Sequence, residues 1–114
     1  MITVTAEQIP AVVQEAQQAA HQAAAKFFQE RLGGVDQYAC GFASTKIYGV
    51  KGSTKLGKAL IAAGVRKSYD KSLELWNPSK FGCQNVDTLE EGARAAAEVF
   101  KKYGFEAYAW SRLD

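Results

Sequence analysis

Between residues 37 and 50 the sequence alternates in size. Tyr38, Cys40, Phe42, Ser44, Lys46 and Tyr48 take turns with Ala39, Gly41, Ala43, Thr45 and Ile47. Successive side chains of a strand point to opposite faces, so this segment reads as a strand with one large face and one small one. A face built from glycine, alanine and threonine buries little unless something packs closely on it. A helix suits that role, which predicts helices layered on a sheet.

The remaining segments supply those layers. Thr5-Ala6-Glu7-Gln8 has the form of a capping box and Gly33-Gly34 that of a stop, predicting a helix over residues 6–32, with Pro10 marking an alternative start. Ile9, Val12, Ala16, Ala19 or Ala20, Ala23 and Phe27 recur at three- and four-residue steps along it. A helix of about 27 residues is about 40 Å long. A domain of this size has a radius of gyration of about 13 Å and a diameter of about 35 Å, so part of the helix is expected to overhang. From Ala16 to Ala25 it carries no charge, only Gln17, Gln18, His21 and Gln22 among alanines. Two readings are open: alanine and glutamine are simply good helix formers, or the helix is buried on more than one side. On the second reading Ala16, Ala20, Ala23 and Phe27 form the interface of a homo-oligomer or of a complex with a partner protein.

After the first strand, Gly49-Val50-Lys51-Gly52 breaks the chain. Ser53 or Thr54 then caps a short helix to about residue 63, with Leu56, Ala59, Leu60 and Ala63 inward. Residues 72–76 read as a strand with Leu73 and Leu75 inward and Glu74 and Trp76 outward. A loop over 77–87 follows. Thr88 with Glu91 reads as a second capping box, opening a helix to Tyr103 with Leu89, Ala93, Ala96, Phe100 and Tyr103 inward. Its outer face sets Glu90 four residues before Arg94 and Glu98 four before Lys102. In a final strand over 105–112, Phe105, Ala107 and Ala109 face one way and Glu106, Tyr108, Trp110 and Arg112 the other. The order α-β-α-β-α-β predicts a single α+β domain over 1–114. It is a two-layer α/β sandwich with a long N-terminal helix over a small three-stranded sheet, in which helix-linked neighbours could run parallel. The helices are expected on one side and a partly open face on the other.

Charge is segregated along this order. Residues 46–80 hold eight of the fourteen Lys and Arg but only two of the twelve acids, Asp70 and Glu74, for a formal charge of +6 between flanks of −2 each. An anion is the natural partner of such a segment. Other classes are disfavoured. No apolar run approaches the ~20 residues that span a bilayer, and the first residues lack the basic region of a signal peptide, so a cytoplasmic protein with no membrane partner is expected. Cys40 and Cys83 have no metal or redox spacing and are expected as thiols. His21 is the only histidine and has no acid three or four positions away, and no cofactor or metal motif is present. The chain reads as a binding protein, not an enzyme.

Two constellations could do the binding. A glycine-bearing turn that feeds a helix N-terminus offers backbone N–H groups to a phosphate. Lys51, Ser53, Thr54, Lys55 and Lys58, with Arg66 and Lys67 near, make this a candidate anion-binding corner, although P-loop spacing is absent and an ordinary capped helix with solvated lysines has the same sequence. Trp76, Tyr108 and Trp110, with Arg112 on the same strand face, are candidate stacking residues for a base or nucleotide, and equally candidates for a protein interface or a second core. Ala39-Cys40-Gly41-Phe42-Ala43, Leu75-Trp76-Asn77-Pro78-Ser79 and Ser111-Arg112-Leu113-Asp114 resemble segments of the short accessory proteins of tailed phages. That resemblance implies a small protein that binds host or viral macromolecules. The expected function is therefore a homo-oligomeric accessory protein whose basic corner binds nucleic acid or a nucleotide. The alternative is an inhibitor or adaptor acting through the Ala/Gln helix and the aromatics.

Overall fold

A computed structural model describes residues 1–34, 39–81 and 85–113. The Thr5–Gln8 capping box forms and opens a single 3₁₀ turn, Ala6–Gln8, which runs straight into helix α1, Ile9–Leu32. Pro10 sits in the first turn of α1, where its missing N–H is no loss, and Gly33 ends the helix in the left-handed conformation. Strand β1 is Gly41–Tyr48, helix α2 Lys55–Ala62, strand β2 Arg66–Lys67 and strand β3 Leu73–Trp76. Helix α3, Val86–Lys102, and strand β4, Glu106–Leu113, complete the chain.

The strands form one four-stranded sheet in the order β2-β3-β1-β4, with every neighbouring pair antiparallel. The α+β class, the long N-terminal helix and the helices on one side are as expected. The sheet has four strands rather than three, and no adjacent pair is parallel. The additional strand, β2, is two residues long and too short to show alternation. Each helix-linked strand pair is separated by another strand, β1 and β2 by β3, and β3 and β4 by β1. From β1 onward this is the split arrangement of a β-α-β-β-α-β unit, with α1 added in front.

The small face of β1 is met by α3. The Thr45 hydroxyl donates to the Ala93 carbonyl at 2.9 Å, and Gly41 has room for no Cβ, which would lie 2.8 Å from the Val86 side chain. Ala43, Leu89 and Ala93 form a small buried cluster there. The larger cluster takes in Ile9, Val12, Val13, Ala16 and Ala20 of α1, Leu60 of α2, Phe100 of α3, and Ile47, Leu73 and Leu75 of the sheet. The α1 stripe thus faces its own core. Past Ala24 none of the described α1 side chains is fully buried, although Phe28 still packs on Phe81 with ring centroids 5.2 Å apart.

Two details of α3 depart from expectation. It starts at Val86, two residues before Thr88, because Asn85 is the cap: its side chain accepts from the Thr88 N–H at 2.9 Å and the Thr88 hydroxyl at 3.1 Å. On its outer face Glu90 pairs with Arg94 as expected, but Glu98 pairs with Lys101. Lys102 instead reaches Glu15 of α1, which also accepts from the Tyr103 hydroxyl at 2.6 Å. These two bonds hold the Glu15 carboxyl below its usual range and tie α1 to the end of α3.

At the crossing of α1 and α3, Gly92 lets the backbones meet. A Cβ there would lie 2.8 Å from the Ser79 Cβ and 3.1 Å from the Ala20 carbonyl oxygen. Alanine is the better helix former by about 1 kcal/mol, but overpacking a tight contact costs about 1–3 kcal/mol. Gly92→Ala is therefore expected to give no gain and up to about 2 kcal/mol of lost stability by urea denaturation. A variant more stable than the parent would show that the crossing is loose.

Candidate functional site

The helices cover one face of the sheet and leave the other open. Period-two alternation sends Phe42, Ser44, Lys46 and Tyr48 of β1 to that open face, and register adds their neighbours. Ser44 pairs with Trp76 of β3 on one side and Trp110 of β4 on the other. Lys46 pairs with Glu74 and Tyr108, and Phe42 with Arg112. Two indoles thus flank the small Ser44 at one level, about 10 Å apart at the backbone, twice the strand spacing. Phe42 extends this floor, with its ring centroid 5.5 Å from that of Trp76.

Beneath the aromatics lies an ionic layer. Lys46 and Glu74 are each only 6% exposed and Ser44 is fully buried. The Ser44 hydroxyl donates to Glu74 at 2.6 Å, Arg66 Nε donates to the same carboxylate at 3.3 Å, and the Lys46 ammonium reaches Asp70 at 2.8 Å. Asp70 sits in the five-residue loop between β2 and β3, where its second oxygen accepts from the Ser72 N–H and hydroxyl. The Lys46 hydrogen bond, then those from Ser72, hold the Asp70 carboxyl well below the usual carboxylate range. The same bond raises Lys46, against the opposing effect of its burial. Cations also lie over the rings: Lys46 Nζ is 4.9 Å from the Trp110 centroid, Arg66 Cζ 4.8 Å from Trp76, and Arg112 Cζ 5.7 Å from Phe42. Lys46, Arg66, Trp76, Trp110 and Arg112 border a recess of about 350 Å³.

Around the β2–β3 loop from this recess is a second hollow. It has a volume of about 510 Å³, and Lys51, Lys67 and Lys71 stand on its border. Lys67 and Ser68 line both hollows.

The structure redistributes the expected anion-binding corner. Lys51 and Lys67 border the larger hollow. Arg66 lies on the sheet face against Glu74. Lys55 points to Glu7 at 3.7 Å, and Lys58 and Ser53 are solvent-exposed. Thr54 is occupied as the α2 cap, accepting from the Gly57 N–H and donating to the Lys51 carbonyl. Lys51, Lys55 and Lys58 therefore do not share one hollow; Lys71 joins Lys51 and Lys67 instead. Trp76, Tyr108 and Trp110 do share one face. Ala16 and Ala20 are fully buried inside the chain, so they are unavailable to an interface. Ala23 and Phe27 are half-buried beside charged Lys26, Glu30, Arg31 and Glu91. His21 lies at the surface with Nδ1 2.9 Å from the Ser79 carbonyl, an acceptor, so that nitrogen donates. Tyr38 and Cys83 lie outside the described residues. No helix among the described residues is long and apolar enough to cross a membrane.

The Lys46–Asp70 pair gives a pH test. A carboxyl depressed in the folded state adds stability that is complete above its unfolded value, about 3.9, and fades as pH falls toward the folded value. Asp70→Asn is expected to lower the melting temperature by several degrees at pH 7, with the gap to the parent closing as pH drops from about 4 toward 2. A gap that stays constant over that range would show that Asp70 adds nothing electrostatic to the fold. The chain matches no protein-family model, no curated protein and no solved structure, so its function has to be read from the geometry of this face and these hollows.

Proposed function

We propose that this protein is a non-enzymatic binding module that takes single-stranded nucleic acid on the open face of its sheet. The observation that carries this reading is the pair Trp76 and Trp110, set on either side of Ser44 with Phe42 beside them and no helix above. Aromatic rings set along an open sheet face suit unstacked bases, which present a π-face whatever their identity. A duplex hides those faces. Arg66 and Arg112 border the floor and supply positive charge for the backbone.

The exposed Arg66 guanidinium that lies over Trp76 does not defeat this. An exposed cation–π contact is worth about 0.5–1 kcal/mol, whereas stacking a base on an aromatic side chain is worth about 1–3 kcal/mol. A base that displaces Arg66 from Trp76 gains more than it forfeits, and the freed guanidinium is a phosphate donor or a stacking plane of its own.

Tryptophan fluorescence tests the reading directly, since both tryptophans lie on the face. Unstructured pyrimidine oligonucleotides are expected to quench it, with affinity falling with salt at a log–log slope near −2, the value for about three neutralised phosphates on a single strand. Trp76→Ala and Trp110→Ala should each weaken binding by about five- to a hundredfold, with thermal melts confirming that the variants fold. Salt-independent binding, or equal binding by folded variants, would exclude the sheet face as the site.

A further inference from the structure

The larger hollow differs from the sheet face in its construction. Val50 and Leu73, both buried, supply its apolar floor, and Lys51, Lys67 and Lys71 are among the residues that line it. Its volume of about 510 Å³ falls within the range of about 300–1,000 Å³ usual for small-molecule sites. Among the described residues Lys51, Lys67 and Lys71 have no acidic partner, in contrast to Lys46, Lys55 and Arg66. Three like charges around one hollow repel each other, and an anion bound between them relieves that repulsion.

The backbone is shaped to put them there. Lys71 holds φ at 71°, a left-handed conformation that costs a residue with a Cβ about 1–2 kcal/mol. The loop fixes it: the Lys71 N–H donates to the Ser68 carbonyl at 3.1 Å, and the Ser68 N–H to the Ser72 carbonyl at 2.9 Å. Lys67 lies across Gly52, where a Cβ would come within 2.6 Å of Lys67 Cε and 3.5 Å of its Nζ. The missing side chain at Gly52 thus makes room for the Lys67 ammonium at the mouth.

We infer that this hollow is a separate site for a nucleoside polyphosphate, with the base on the Val50–Leu73 floor and the phosphates among Lys51, Lys67 and Lys71. Inorganic phosphate alone would leave the apolar floor unused, and an uncharged nucleoside would leave the lysines unrelieved. The inference does not depend on single strands binding to the sheet face. The phosphorylated end of a strand carries the same chemistry as a free nucleotide, and the experiment separates the two sources.

Calorimetric titration of ADP into the full chain is the test, with pyrophosphate and adenosine as controls. ADP is expected to bind more tightly than either control. Each of Lys51→Gln and Lys71→Gln should weaken it by about tenfold, and the double variant by about a hundredfold, as for loss of charged hydrogen bonds. Gly52→Ala, which displaces the end of Lys67 and presses lightly on Ile61 Cδ1 at 3.3 Å, should weaken ADP while leaving the melting temperature within a few degrees. Trp76→Ala should leave ADP affinity unchanged. A preference for 5′-phosphorylated over 5′-hydroxyl oligonucleotides that vanishes in the double lysine variant would name the strand end as the source; ADP binding without that preference names the free nucleotide. The inference is overturned if ADP fails to bind at millimolar concentration, or binds no better than adenosine. It is also overturned if ADP binding survives the double lysine variant but is lost in Trp76→Ala, a result that moves the nucleotide to the sheet face and leaves the single-strand reading standing. Failure of oligonucleotides with success of ADP would do the reverse.

Discussion

The closeness of α3 to the sheet governs the rest of this molecule. Thr45 donates directly to a carbonyl of the helix backbone, an approach possible only where the intervening side chains are as small as Gly41, Ala43 and Ala93. Strand geometry then leaves no choice about the large residues. If the small ones face the helix, Phe42, Lys46 and Tyr48 must face away. The antiparallel register carries the same rule to β3 and β4, where Leu73, Leu75 and Ala107 turn to the core and Trp76, Tyr108 and Trp110 to the open side. The aromatic face follows from the packing on the opposite side of the sheet.

That coupling explains what the sequence reveals. Alternation in β1 and β4 and the capping box at Thr5–Gln8 are local signals, each complete within a few residues, and each appears in the structure with the expected faces; the α1 stripe does so as far as Ala20, after which Ala24 is buried and Ala23 and Phe27 are only half-buried. The sharing of one face by Trp76, Tyr108 and Trp110 was legible too, because it needs only the period of each strand and the knowledge that Leu73 and Leu75 point inward. What was hidden depends on pairing between distant segments. The two residues of β2 carry no pattern of their own and become a strand only because Arg66 and Lys67 meet Glu74 and Leu73. Lys71 carries no local sign of its place beside Lys51, twenty positions earlier, since the β2–β3 loop sets it there. Glu15 likewise takes Lys102 from its helical neighbour because α1 runs past the end of α3 there.

The basic segment shows the same division between composition and placement. Its only two acids, Asp70 and Glu74, are each used beside the sheet face, against Lys46 and Arg66. The six remaining cations keep the segment's net charge of +6, but it is no longer spread evenly along the chain. Lys46 and Glu74 are buried and paired, an arrangement that fixes the β2–β3 loop against the sheet more than it attracts a ligand. Lys51, Lys67 and Lys71 lack such partners among the described residues and border one hollow.

The long helix illustrates how a weak signal misleads. A stripe of alanine with a charge-free middle admits two explanations from sequence, a contact surface between chains or a tight contact within one. Small residues permit close approach without saying whose backbone approaches. Gly92 of α3 settles it for the middle of the helix, because a Cβ there would meet the Ala20 carbonyl oxygen. The partner that Ala16 and Ala20 require is α3 of the same chain, and their burial is complete before any second molecule arrives. The end of α1, with Phe27 among charged neighbours, and the charge-free outer face with Gln18, His21 and Gln22 keep a surface to offer, and neither has the apolar centre that stable interfaces share.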